Sequence, residues 1–156
     1  MLRGVAFHTP LGALVGLTSE TGLRRLSFDL SDLAEAEQAP SPTLDLLARW
    51  LDAYFRREFR RLPELPLDLP QTPSTDVWLK TSEIPVGAQW TYGELARQMG
   101  RSESSARAVG AAMAANPLLL VLPCHRVLAQ SGSLAGYRGG VQRKAWLLKH
   151  EGTLLL

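Results

Sequence analysis

Pro63, Pro66, Pro70 and Pro73 follow one another closely. Each disfavours helix at the residue before it and removes a backbone donor. Such a stretch is an extended connector, so the chain is expected to fold as two pieces: residues 1–66, then a connector 67–75, then residues 76–156. The 156 residues are 46% hydrophobic and 21% charged, near the averages for globular proteins, which excludes a disordered tail or a fibrous rod. No apolar run reaches the roughly 18 residues that a membrane helix needs. The stretch Met1–Leu17 is broken by Arg3, His8 and Pro10, so the expectation is a cytoplasmic protein without a membrane partner. One cysteine and three histidines (His8, His125, His150) are a thin set for a metal site, and neither metal nor cofactor is expected.

Charge divides unevenly. Residues 1–75 hold 8 Lys/Arg against 10 Asp/Glu and residues 76–156 hold 9 against 5, so the halves stand at −2 and +4. Arginines outnumber lysines 14 to 3, and guanidinium fits phosphate oxygens well, which makes nucleic acid a candidate partner of the second half.

In the first piece, Ala13–Thr18 and Leu23–Phe28 flank Ser19–Gly22 as a hairpin, and Leu44, Leu47, Leu51 and Tyr54 recur at helical spacing. In the second, a helix begins at Val77–Leu79 and ends before Pro85. Thr91-Tyr-Gly-Glu94 has the pattern of a capping box at the head of a helix over 92–99 that stops at Gly100. A further helix over 104–115 ends at Asn116-Pro117, so the pair reads as a helix-turn-helix or as an ordinary helical hairpin. The fold class is α+β: a small N-terminal α/β domain of hairpin sheet plus helix, then a mostly helical C-terminal domain with the helix-turn-helix.

The second of these helices points Val109, Ala112 and Met113 to one side and Arg107, Gly110, Ala111 and Ala114 to the other. A face so bare lacks the side chains that read base edges. It suits either close approach to a DNA backbone or minor groove, or packing against another helix.

Leu118–Leu122 is a buried strand or segment that delivers Pro123-Cys124-His125-Arg126. Cys124 is either an inert small hydrophobe or a nucleophile, with His125 as base and Arg126 as a charge favouring thiolate. The last helix, over 141–150, aligns Val141, Ala145 and Leu148 in a stripe that Glu151 extends. Glu151 is either solvated or turned inward to His125, completing a nucleophile, base and orienting carboxylate.

Thr91-Tyr-Gly-Glu-Leu-Ala96, Arg107-Ala-Val-Gly110, Asn116-Pro117, Pro123-Cys-His-Arg-Val127, Gly136-Tyr137, Gly139, and Leu147-Leu148 followed by Glu151-Gly152 together resemble the O6-alkylguanine-DNA alkyltransferases. The resemblance implies direct-reversal repair. Cys124 would take the alkyl group from a flipped guanine in duplex DNA once per molecule, with the protein a monomer on the minor groove. It also implies roles. His125 deprotonates Cys124 through a water, Glu151 holds His125, and Asn116 supports the cysteine segment. Tyr92 contacts the flipped base, and the carbonyls of Cys124 and Val127 meet its amino group. Tyr137 and Arg138 close the pocket, with the Arg138 backbone donor on the substituted oxygen, and Arg107 fills the vacated place in the stack, flanked on DNA by Gly110, Ala111 and Ala114. The chain departs from the family in its 100–106 loop, one residue longer and without the common proline, and in Ala111 and Ala135, where glycine is common. Two rival readings are a lesion-binding helix-turn-helix protein whose cysteine does not react, and a cysteine hydrolase using Cys124 and His125.

Overall fold

The structure, a computed structural model, describes residues 1–134 and 136–153; Ala135 lies outside the described residues. The chain divides into two compact units, Met1–Pro70 and Gln71–Leu156.

The first unit is built on a four-stranded sheet. β1 (Leu2–Thr9) and β2 (Gly12–Thr18) pair antiparallel from Arg3↔Thr18 to Thr9↔Gly12, and β3 (Leu23–Ser27) continues the sheet from β2. The short β4 (Ala36–Glu37) adds in parallel to the other edge of β1, giving the order β3-β2-β1-β4. The β2–β3 hairpin is the one expected from sequence. The first strand was not, because Arg3, Gly4 and His8 interrupt its apolar pattern and its support comes from pairing with β2. α1 (Pro42–Phe55) starts where Ser41 Oγ accepts from the Leu44 amide and Pro42 occupies the first turn. Its buried Leu44, Leu47, Leu51 and Tyr54 belong to a core with Leu14, Val15, Leu17, Leu23 and Leu26 of the sheet.

The connector expected over 67–75 is corrected at its end: Pro73 and Ser74 form a turn that leads straight into a helix beginning at Thr75, where Pro73 can precede the first turn without costing a helical hydrogen bond. As far as Gln71 it has no regular structure, and part of it is pinned. Leu67 bridges Leu23 in parallel, with Leu23 donating to the Pro66 carbonyl and Asp68 donating to the Leu23 carbonyl, both at 2.8 Å. Gly22 makes this approach possible, since a Cβ there would lie 2.6 Å from the Pro66 backbone.

The second unit opens with α2 (Thr75–Lys80), prolonged by a 3₁₀ turn, Thr81–Glu83. β5 (Trp90–Thr91) leads into α3 (Tyr92–Gln98), whose capping box is complete: Thr91 Oγ1 accepts from the Glu94 amide and the Glu94 carboxylate accepts from the Thr91 amide. α4 (Ala106–Ala114) begins two residues later than its sequence suggests, because its entry is tightened into a 3₁₀ turn, Glu103–Ser105. Trp78 Nε1 donates to the Ala112 carbonyl at 2.7 Å and ties α2 to α4. β6 (Val127–Leu128) pairs in parallel with β5, and α5 (Val141–His150) closes the described chain.

Candidate active site

The apolar run before the cysteine is buried but is not a strand. It coils in tight turns, with Leu122 N–H on the Leu118 carbonyl (3.0 Å), Val121 N–H on Leu119 (2.9 Å) and Leu120 held at φ 70°. A branched residue at positive φ is strained, and here the surrounding core enforces it. The run ends in a single 3₁₀ turn, Cys124–Arg126, between Pro123 and β6. At three residues per turn, successive side chains leave this turn about 120° apart. Cys124, His125 and Arg126 therefore reach different neighbours although all three are buried.

Cys124 faces Asn116, which follows α4 and is itself fully buried. Asn116 Nδ2 donates to Cys124 Sγ (2.9 Å) and to the Leu122 carbonyl (2.8 Å), and its Oδ1 accepts from Leu118 N–H (3.0 Å). Burial pushes the Cys124 thiol up to about 11, opposed by the Asn116 donor and the charge of Lys144. At neutral pH the resting group is the thiol, so it needs a base.

His125 has no exposed surface. Its Nε2 lies 2.7 Å from Glu151 Oε2, and among the described residues its buried Nδ1 has no hydrogen-bond partner. Burial drives its proton affinity down, more than Glu151 raises it, so the ring rests neutral. Glu151 stays ionised although burial opposes its charge, because His125 and Arg126 both bond it and hold its carboxyl well below the usual range. Arg126 Nε donates to Oε1 (2.8 Å), Nη2 to Oε2 (3.1 Å) and Nη1 to the Ile84 carbonyl (2.7 Å). The expectation that Arg126 favours the thiolate is thus corrected, since its charge is spent on Glu151.

The cation that acts on Cys124 is Lys144, which the sequence reading did not single out. It is 1% exposed, its Nζ donates to the Val127 carbonyl at 2.7 Å, and burial lowers it to about 8. The stripe expected on α5 is corrected too. Val141 is 51% exposed, and the buried face runs through Lys144, Leu147 and Leu148 to Glu151. A lysine seven residues before the inward glutamate was the available signal, but charge argued against burying it.

Tyr92 is packed on Gly110, where a Cβ would stand 3.1 Å from its ring, and a Cβ at Gly136 would stand 3.6 Å from its hydroxyl. Tyr137 is buried, edge-on to His125 at 6.4 Å between ring centroids, and its hydroxyl has no hydrogen-bond partner among the described residues. Arg138 is exposed and donates to the Ala115 carbonyl at 3.5 Å. Arg107, Ala111 and Ala114 lie exposed on the outer face of α4, with Gly110 only half-buried. Among the described residues no group of three or more metal-ligating side chains gathers.

A buried cysteine held by an asparagine, a neutral histidine backed by a carboxylate, and a preceding helix pair with one bare outer face together make a nucleophile set and a candidate DNA surface within one unit. The chain belongs to the 6-O-methylguanine DNA methyltransferase family: residues 73–153 match its DNA-binding domain and residues 2–69 its ribonuclease-like domain. A Shigella flexneri methylated-DNA–protein-cysteine methyltransferase is 49% identical over 107 residues, 68% of this chain. The chain spans 62% of the length of that relative. The Methanosarcina acetivorans protein of the same name is 33% identical over 94% of this chain and 96% of its own. Among solved structures, Mycobacterium tuberculosis OGT in complex with DNA is 35% identical, covers 96% of this chain and 92% of that one, and superposes with a TM-score of 0.83.

Proposed function

We propose that the protein repairs DNA by direct reversal, moving an alkyl group from the O6 atom of guanine to Cys124, once per molecule. The observation that carries this reading is the buried Asn116–Cys124 contact beside a neutral His125 locked onto Glu151. Its relatives are named for this transfer, and one was solved with DNA. In the step, the sulfur attacks the alkyl carbon, an S–C bond forms and the C–O bond breaks, and the electron pair passes into the guanine ring. His125 Nδ1 takes the thiol proton through a water, and Tyr92 returns a proton to the departing base. The displaced group is a stable guanine and the product a thioether, which nothing in the site hydrolyses.

The base must leave the duplex stack to reach a buried sulfur, at a cost of a few kcal/mol, which we assign Arg107 to offset by filling the gap. Gly110, Ala111 and Ala114 then allow α4 to approach the minor groove of duplex DNA. Val127 and Cys124 offer their carbonyls to the base, and Tyr137 and Arg138 cover it. The reading implies a monomer that acts on DNA in the cytoplasm; among the described residues no helix is long and apolar enough to cross a membrane.

The test is intact mass after exposure to excess O6-methylguanine duplex. One methyl per chain, on the peptide bearing Cys124, followed by loss of activity, is the expected result. Binding without mass change would favour a lesion sensor, and continued turnover of an ester or amide would favour a hydrolase.

A further inference from the structure

We propose that Arg126 is a positioning residue for the transfer: by gripping both oxygens of Glu151 and the Ile84 carbonyl together, it fixes the carboxylate that orients His125 and supplies that carboxylate's counter-charge. The inference rests on the reading of Cys124 and His125 given above and deepens it.

The geometry is that of a matched fork. A carboxylate with no exposed surface has about four lone-pair directions to satisfy, and His125 takes one of them. Arg126 supplies two further donors to the same group, one to each oxygen, and its third contact anchors the fork to the backbone at Ile84, just before Pro85. Glu151 follows the last turn of α5, where the helix dipole disfavours a negative charge. The carboxylate is therefore held against its local field by one guanidinium.

The charge matters as much as the grip. Around His125 stand Glu151 from the end of α5, Lys144 from its middle, Arg126 and Cys124 from the same 3₁₀ turn, and the Tyr137 ring. Of these only Glu151 is anionic at rest. Were its charge unbalanced, His125, which bonds it directly, would tend to rest as imidazolium, which cannot accept the thiol proton. With Arg126 paired to Glu151 the base stays neutral, yet the carboxylate remains in place to stabilise the imidazolium as it forms.

Two variants of the full chain separate grip from charge. Arg126→Met removes both. The His125 ring, followed by NMR, should titrate about one to three pH units higher, and transfer to methylated duplex should fall near neutral pH and recover above the new midpoint. Arg126→Lys keeps a cation but no fork. It should leave the His125 midpoint near its original value and still slow transfer roughly tenfold, part of the 10²–10⁴ that a positioned base supplies. A folded Arg126→Met protein with an unmoved His125 midpoint would overturn the charge argument, and wild-type transfer in Arg126→Lys would overturn the grip. If Arg126→Met does not fold, the lysine variant still decides. If the unaltered protein takes up no alkyl group, the proposed reaction fails while the His125 titration still judges Arg126.

Discussion

Asn116 holds the Cys124 sulfur at 2.9 Å while bonding both ends of the Leu118–Leu122 coil, through the Leu118 amide and the Leu122 carbonyl. One side chain thereby shapes the segment that presents the nucleophile and donates to the nucleophile itself. Asn116→Ala should leave the buried Leu118 amide unpaired, at about 1–3 kcal/mol, while the Leu122 carbonyl still accepts from Cys124 N–H at 2.7 Å, and should lower the denaturation midpoint accordingly. Asn116→Asp can still accept from Leu118, but it sets a buried carboxylate oxygen against the Leu122 carbonyl and the sulfur, so it should gain no stability over alanine. It should also be the slower variant, because a carboxylate next to the sulfur opposes thiolate. Single-turnover rates in which aspartate matches or exceeds alanine would remove the Asn116 donor from the chemistry.

Gly110 bears on the Tyr92 ring, with an added Cβ placed 3.1 Å from Cε2 and 3.3 Å from Cδ2. Gly110→Ala therefore displaces Tyr92 by a few tenths of an ångström, and small misplacements at a reacting centre are costly. Helix propensity favours alanine here by about 1 kcal/mol, so stability should hold or rise while transfer slows on duplex and on free alkylguanine alike. A loss confined to duplex DNA would show that Gly110 acts through the DNA-facing surface of α4 alone and that its contact with Tyr92 does not set the rate.

Arg107 should behave the other way. It is exposed on the outer face of α4. Arg107→Ala should weaken repair of duplex far more than reaction with the free base. Equal losses would place Arg107 in the fold or the chemistry. Binding of the unaltered protein to undamaged duplex should weaken steeply with salt and show little sequence preference.

What the sequence disclosed follows from how local each signal is. The Thr91–Glu94 capping box and the helical spacing of Leu44, Leu47, Leu51 and Tyr54 lie within a turn or two of themselves, and both elements stand where they are expected. β1 depends on its pairing with β2, and its interrupted pattern hid it. Within the site, Cys124, His125 and Glu151 were legible as chemical types. The partner of Arg126 was not, because a 3₁₀ turn sends adjacent side chains in different directions and only the packing of α5 shows where each arrives. Lys144 was overlooked for the converse reason: periodicity put it on the inner face, but a lone lysine is seldom buried, and the Val127 carbonyl that accepts from it lies seventeen residues away.

Glu151→Gln tests the orienting carboxylate. Glu151 Oε2 accepts from His125 Nε2 and from Arg126 Nη2, so an amide nitrogen at that position would face two donors. If the amide instead keeps its oxygen on Arg126 Nε and its nitrogen at the Oε2 position, His125 must accept at Nε2 and carry its proton on Nδ1, the atom meant to receive the thiol proton. The base is then in the wrong tautomer, and transfer should fall by orders of magnitude, as the loss of about 10⁴ in a serine protease with a neutralised aspartate illustrates. DNA binding should persist, since α4 is untouched. The variant also leaves Arg126 as an unpaired buried charge, costing about 3–5 kcal/mol at neutral pH, so rates must be read where the protein remains folded. The pH dependence gives an independent check. Glu151 binds protons more weakly folded than unfolded, so its contribution to stability is complete above its unfolded value of about 4.3 and is lost as pH falls below it toward the lower folded value. The original protein should accordingly lose its advantage over Glu151→Gln through that acid range, and the two stability curves should converge. Parallel curves down to pH 2, or near-normal transfer in the folded glutamine variant, would leave Cys124 and His125 to act without Glu151.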